Sequence, residues 1–279
     1  MNITPANIQL EIASFRGQAL SALLSTSSAN SDTANFADIL GMKTSEAANS
    51  GRNLALKDPE SAFKMMSQIN NLEVNFKAQF SELSQMGSSV EHMEAVGRQL
   101  SDVDQTTANT DIVAQLQGFV AQYNAWEDRF DQTVEEGGVL DNIQAAEVSL
   151  YELEQSIKNI FNGAADGING LGGLGISIDP ATKQAALDVT KLESVLAGNK
   201  GGVVNAIDEF SANFAKSADL LNSDGNFIQN ALGNRSRAID YIADNRTSLQ
   251  TEFGSGDAAK PTGDVAKALS AYEQAFGIS

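Results

Sequence analysis

The 279-residue chain contains no cysteine, one tryptophan and one histidine. The absence of cysteine excludes a disulfide framework, a cysteine-ligated zinc site and a thiol nucleophile. Any catalytic triad or histidine-ligated metal site would have to use His92, which lacks an H-E-x-x-H pattern and lies on a segment with helical periodicity. We therefore expect His92 to be a surface residue of a helix. We expect no catalytic residue, no metal site and no enzymatic activity.

Basic residues and long apolar runs are also scarce. The chain has 18 Lys and Arg against 36 Asp and Glu, for a formal net charge of −18. Such a charge repels phosphate backbones and anionic lipid headgroups, so we expect no nucleic-acid partner. No run approaches the roughly 18 apolar residues of a membrane span, and we expect no membrane insertion. The N-terminus has no basic residue before Arg16 and no unbroken apolar run, so we expect no cleavable signal peptide.

Helical periodicity dominates what is present. Apolar residues recur three or four positions apart over most of the chain, which places them on one face of an α-helix. We predict a mainly α protein, an elongated helical bundle or coiled coil with a small β-hairpin. The predicted helices cover residues 6–24, 59–100, 109–131, 141–161, 188–198, 201–223, 228–253 and 264–276.

These patterns divide the chain into four parts. Residues 1–58 are predicted to form a flexible N-terminal segment with one amphipathic helix. We expect residues up to about 55 to be loosely held, because two polar stretches surround only one short apolar patch there. Residues 59–105 form a long coiled-coil-like helix, which is expected to bend at Gly87 and Gly97. Residues 106–225 form a helical core with the hairpin, and residues 226–279 form a C-terminal coiled-coil-like helix and tail.

A glycine-rich stretch matches the dinucleotide-binding pattern G-x-G-x-x-G at Gly170, Gly172 and Gly175. That motif requires a strand before it and a helix opening inside it. Here the preceding segment has helical periodicity, and the alternating stretch that follows predicts a hairpin over residues 175–189. We therefore expect the glycines to allow left-handed backbone turns between a helix and a hairpin, and we expect no nucleotide and no other cofactor.

The stretch Asn222–Phe227 has a partial likeness to a calcium-binding loop. Phe227 occupies the position of the glycine that such a loop requires, and no closing glutamate follows. We therefore predict a capped turn.

Two apolar seams are candidates for association. One follows the long helix over residues 69–100, and the other follows the helix over residues 228–253. Two compatible interpretations stay open: the seams pair within one chain as a helical bundle, or they also pair between subunits. Because the first seam is longer than the shorter helices nearby, we expect it to expose an apolar stripe. The candidate self-association residues are Ile69, Phe76, Phe80, Leu83, Val90, Met93, Ile239, Ile242, Leu249 and Phe253.

Three stretches resemble the flagellar filament-cap family, hook-associated protein 2. "FVAQYNAW" at residues 119–126 is similar to an F-V-x-x-Y-N segment of that family. "LGGLGISIDPATKQAALDVTKLESVLAGN" at residues 171–199 and "SDGNF" at residues 223–227 follow in the family's order and spacing. The likeness covers residues 112–253. "VNFKAQFSELSQM" at residues 74–86 resembles the family's C-terminal helix but precedes the core, and the family's large inserted domains are missing.

The resemblance implies a structural protein of the bacterial flagellum. It would be exported through the flagellum without a cleavable signal, and its partners would be copies of itself and other axial proteins such as flagellin or hook-associated proteins. It would act by packing, without making or breaking a covalent bond. The alternative from another class is a cytosolic export chaperone or adaptor that uses its N-terminal helix as a recognition arm.

Overall fold

The computed structural model describes residues 59–159 and 167–278. The predictions of a helix over residues 6–24 and of a loosely held segment up to about residue 55 concern residues outside these ranges. Within them the chain is mainly α with one small hairpin, which confirms the predicted fold class. The described α-helices are α1 (Pro59–Gln99), α2 (Asn109–Val134), α3 (Gln144–Lys158), α4 (Val189–Asn222), α5 (Phe227–Phe253) and α6 (Gly263–Phe276).

The hairpin lies where the alternating pattern predicted it. Strand β1 (Ile176–Ile178) pairs antiparallel with β2 (Ala185–Leu187), and Ser177 is opposite Ala186. The turn between the strands begins at Asp179, whose side-chain oxygen accepts the backbone N–H groups of Ala181 at 2.8 Å and Thr182 at 2.9 Å. These are the only strands in the part of the chain that the structure describes.

Helix α4 contains the two helices predicted over residues 188–198 and 201–223, joined across a kink. Asp188 caps its start by accepting the backbone N–H of Lys191 at 3.0 Å. The break expected near Gly198 is a kink at Asn199, with φ −152° and ψ 63°. The Asn199 side chain accepts the backbone N–H of Gly202 at 2.9 Å, so it restarts the helix as a side-chain cap does at a true helix end.

The chain forms two compact units. Among the described residues, the first unit contains 59–83, 142–144 and 231–278, and the second contains 84–141, 145–159 and 167–230. The unit boundaries fall inside α1 and α5 and differ from the four parts drawn from the sequence. Each unit has buried apolar side chains of its own.

The second unit is built around three phenylalanines. The Phe119 ring meets the rings of Phe210 and Phe214 edge-on, with 5.1 Å between centroids in each case, and all three side chains are buried. Helix α1 is continuous through Gly87 and Gly97. A Cβ atom on Gly97 would lie 2.6 Å from the Phe214 ring, which shows that the glycine makes room for it.

The first unit has a smaller apolar cluster between α1 and α5. Met66 and Ile69 pack with Ile242 and Leu249, and these four side chains are buried. Partly buried hydrophobic residues surround the cluster, among them Phe76 and Phe253. This unit therefore leaves more aromatic surface in contact with water than the phenylalanine core of the second unit does.

Candidate functional site

Most of the candidate self-association residues are buried within the chain. Phe76, Phe80 and Phe253 keep part of their surface accessible. The expectation that the long helix exposes an apolar stripe along this seam is wrong for the other residues of α1, because neighbouring helices of the same chain cover them. The buried members of the set are Ile69, Leu83, Val90, Met93, Ile239, Ile242 and Leu249.

One accessible aromatic surface of the first unit lies where α6 meets α1. The Phe80 ring lies edge-on to the rings of Tyr272 and Phe276, with 5.8 Å between centroids in both cases. Tyr272 and Phe276 stack on each other at 4.5 Å. Phe276 is nonetheless 54% exposed and Ile278 is 49% exposed. We call Phe80, Tyr272, Phe276 and Ile278 the aromatic patch.

The end of α6 explains this exposure. Gly277 adopts φ +64°, the left-handed conformation that commonly ends a helix. The backbone N–H of Ile278 then donates to the carbonyl of Glu273 at 2.9 Å. This turn holds the apolar residues on both sides of Gly277 in place, where half of each side chain faces water.

A charged pair supports the same patch from α1. The Lys77 ammonium lies 5.9 Å from the centre of the Tyr272 ring and 2.8 Å from the Glu73 carboxylate. Arg246 of α5 binds the same carboxylate. Burial opposes ionisation of Glu73, but hydrogen bonds and charge from Lys77 and Arg246 outweigh it, so the pKa lies below the ordinary 4.5.

The sequence pattern included Phe80 among the candidates but missed the contribution of α6. Tyr272 and Phe276 are four positions apart, so they lie on one face of a helix. That spacing is a usable signal. It was not sufficient, because a 14-residue helix gives no indication of which other helix its aromatic face will contact.

In the second unit, α2 holds the hairpin through one carboxamide. The Asn124 side chain donates to the carbonyl of Ala185 at 2.9 Å and accepts the N–H of Ala185 at 2.7 Å. One turn further along α2, Asp128 accepts a hydrogen bond from Gln184 at 2.9 Å. Asn124 and Tyr123 belong to the "FVAQYNAW" stretch, so this stretch contributes directly to the attachment of the hairpin.

A buried carboxyl lies on the same helix. The Tyr123 hydroxyl donates to Glu127 at 2.7 Å, and both side chains are buried. Burial raises the pKa of Glu127 to about 7; the Tyr123 hydrogen bond and Lys183 oppose this rise, whereas the charges of Asp131 and Glu154 add to it. Periodicity did not identify Glu127, because it gives no indication of a polar residue inside a core.

The glycine-rich stretch lacks the context of a nucleotide-binding motif. Gly170 and Gly175 have φ of +77° and +95° and flank a short 3₁₀ helix (Leu171–Leu174). A strand follows the glycines, whereas the dinucleotide motif has a strand before them and a helix after them. The segment therefore forms a turn that leads into the hairpin, as the pattern predicted.

The remaining sequence features are surface elements. His92 is exposed, and its Nε2 lies 3.2 Å from the Gln122 side-chain oxygen. The partial calcium pattern forms the turn between α4 and α5, where the Asn226 side chain donates to the Ser223 hydroxyl at 2.6 Å. Within residues 59–159 and 167–278, no group of three or more His, Asp or Glu side chains is arranged to hold a metal ion.

None of the described helices combines the length and the apolar character needed to cross a membrane. No family model, curated protein or solved structure matches the chain. The resemblance to the filament-cap family therefore rests on the stretches at residues 119–126, 171–199 and 223–227 and on their order.

Proposed function

We propose that the protein is a structural assembly protein of the bacterial flagellum, similar to the filament cap. It acts by associating with itself and by packing on other axial proteins, such as flagellin or hook-associated proteins. In this proposal it reaches the outside of the cell through the flagellum, without a cleavable signal. The alternative is a cytosolic export chaperone or adaptor.

The observation that carries the proposal is that the resembling stretches meet in one structural unit. Residues 119–126 lie in α2 and supply both a core phenylalanine and Asn124, which binds the hairpin. Residues 171–199 supply the glycine turn, the hairpin and the start of α4. Residues 223–227 supply the turn into α5. All three pieces belong to one unit, and the first two contact each other through Asn124 and Ala185. This supports a shared architecture better than isolated matches do.

The aromatic patch is the surface that supports an assembly role. Exposed aromatic side chains that already pack on one another lose little side-chain entropy on binding, and such residues are frequent anchors of protein interfaces. Most of the candidate residues are buried within the chain, so the contact residues in this proposal are Phe80, a candidate that stays partly accessible, and Phe276. Each copy has a formal net charge of −18. At physiological ionic strength, repulsion between charges more than about 8 Å apart is largely screened, which permits apolar contacts between copies.

The buried positions of the seam are unsuitable for a test of association. Substituting Leu83 or Met93 with Asp should unfold the protein, because both side chains are buried. Phe276→Ser removes an exposed ring and should leave a folded protein. Tyr151→Ser is a matched control, because Tyr151 is 58% exposed on α3 in the other unit.

The experiment is deletion of the gene, followed by complementation with the wild type, Phe276→Ser and Tyr151→Ser. We expect the deletion strain to have altered filament length and reduced motility. The wild type and Tyr151→Ser should restore both, and Phe276→Ser should restore neither. Light scattering of the purified proteins should show association for the wild type and Tyr151→Ser, and a monomer for Phe276→Ser.

Two outcomes would contradict the proposal. Normal filaments and motility in the deletion strain would remove the flagellar role. Strict retention of the protein in the cytosol, together with a monomeric wild type at every concentration and with flagellar partners present, would favour the chaperone or adaptor.

A further inference from the structure

The surroundings of Glu127 join three elements of the second unit. Tyr123 and Asp131 accompany Glu127 on α2, and Glu154 belongs to α3. Lys183 belongs to the hairpin turn, and its ammonium lies 3.7 Å from the Glu154 carboxylate. Lys158 of α3 binds the same Glu154 oxygen. The titratable groups of α2, α3 and the hairpin therefore meet around one buried carboxyl.

The charges of this cluster balance only when Glu127 is protonated. Asp131 and Glu154 then contribute two negative charges, and Lys158 and Lys183 contribute two positive charges. Ionisation of Glu127 adds a third negative charge, and its side chain is only 3% exposed. A charge at such a position is poorly solvated, and the carboxylates of Asp131 and Glu154 repel it.

We propose that Glu127 is a pH-sensitive contact: its neutral form keeps α3 and the hairpin turn beside α2, and its ionisation loosens both. Ionised Glu127 attracts Lys183 away from Glu154 and is stabilised by water, and both effects weaken the arrangement that holds the turn. This regulatory property is independent of the assembly role proposed above, and it would hold for an adaptor as well.

The direction of the effect follows from proton binding. We call the arrangement with α3 and the hairpin turn beside α2 the closed form, and its loosening opening. The pKa of Glu127 is about 7 in the closed form against 4.5 for an ordinary glutamate, so the closed form binds more protons between these pH values. Opening is therefore favoured as the pH rises through this range. With these two values, the equilibrium constant for opening increases by about tenfold between pH 6 and pH 8.

The protein has its own spectroscopic reporter. Trp126, the single tryptophan of the chain, precedes Glu127 in α2. Its side chain is 3% exposed, and its indole N–H is the one buried side-chain group of the described residues that lacks a hydrogen-bond partner. Access of water to this group on opening should shift the tryptophan emission to longer wavelength.

The experiment is a pH titration of tryptophan emission in the full chain from pH 5 to pH 9, with hydrogen exchange of the hairpin at pH 6 and pH 8. We expect a red shift with a midpoint near pH 7. We expect the hairpin N–H of Asp188, which donates to Gly175 at 2.9 Å, to exchange about tenfold faster at pH 8 after correction for the intrinsic rate. Glu127→Gln, which has the same shape and no charge, should remove both changes.

His92→Gln is the matched control, because it removes the single histidine of the chain, whose ring contacts Gln122 of α2. His92→Gln should keep the full pH response. A flat emission profile for the wild type would overturn the proposal, as would a response that persists in Glu127→Gln or disappears in His92→Gln.

Discussion

Each unit contains a glutamate with charged neighbours, and the two glutamates respond to their surroundings in opposite ways. In the first unit, Glu73 has two cationic partners, Lys77 and Arg246, and its pKa lies below the ordinary value. In the second unit, Glu127 has a neutral hydroxyl as its direct partner and two carboxylates nearby, and its pKa is raised. Burial opposes ionisation of both groups, so the sign of each shift depends on the partners that the fold supplies.

The two units also differ in how far they bury their aromatic side chains. The second unit buries Phe119, Phe210 and Phe214 against one another. The first unit leaves Phe80 partly accessible and Phe276 more than half exposed. A core that is already filled gains little from a partner, whereas exposed rings lose contact with water on association. The aromatic cluster of the second unit is therefore already covered, whereas that of the first unit keeps surface that a partner could cover.

The largest expected difference between the units concerns their phenylalanines. Phe214→Ala should destabilise the second unit by about 3–5 kcal/mol, because it removes a fully buried ring and leaves a cavity. Phe276→Ser should cost less than about 1 kcal/mol, because half of that ring already faces water. Urea unfolding measures the loss of stability in both variants. Tryptophan emission follows the second unit, and far-ultraviolet circular dichroism follows the whole chain. Equal losses for the two variants would contradict the comparison.

A smaller effect is expected at the attachment of the hairpin in the second unit. Asn124→Ala leaves the N–H and C=O groups of Ala185 without their side-chain partner and should cost about 2 kcal/mol. Asn124→Asp keeps an acceptor for the N–H group but cannot donate to the carbonyl, so it should fall between the wild type and Ala. Hydrogen exchange at Ala185 reports directly on the contact. An unchanged exchange rate in Asn124→Ala would show that Asn124 does not hold the strand.

The smallest expected effect concerns the charged pair of the first unit. Glu73→Gln should cost about 1 kcal/mol near neutral pH, because Lys77 and Arg246 lose their anionic partner. Since the folded-state pKa of Glu73 lies below 4.5, its contribution is present above that pH and is lost as the pH falls further. Wild-type stability should therefore decrease in acid more steeply than that of Glu73→Gln.

The control for this pair is Glu60→Gln. Glu60 forms an exposed pair with Lys64 on α1, and both side chains are more than two-thirds exposed. Its loss should leave thermal stability unchanged at every pH. The contrary outcome is that the stability of the wild type, Glu73→Gln and Glu60→Gln shows the same dependence on pH. That result would mean that the contacts of Glu73 with Lys77 and Arg246 do not stabilise the first unit.

Local sequence patterns were sufficient to predict most of the secondary structure of the described residues. The three-and-four spacing predicted α1, α2, α3, α5 and α6, and the alternation near Asp179 predicted the hairpin. Such patterns succeed because helix and strand periodicity depend on neighbours in the chain. The two helices predicted over residues 188–198 and 201–223 correspond to the two segments of α4, which the kink at Asn199 separates.

The tertiary structure alone decided which surfaces are covered and which charges are tolerated. Periodicity placed Leu83 and Met93 on an apolar face, but only the other helices of the fold determined that this face is buried inside the chain. The same holds for Gly97, where the ring of Phe214 fills the space that a side chain would occupy. It holds in part for Glu127: Tyr123 and Asp131 are on its own helix, but its burial and its charged neighbours Glu154 and Lys183 come from the fold. These properties depend on residues that are distant in sequence, so their energies are set by long-range packing and by desolvation, which a local pattern does not encode.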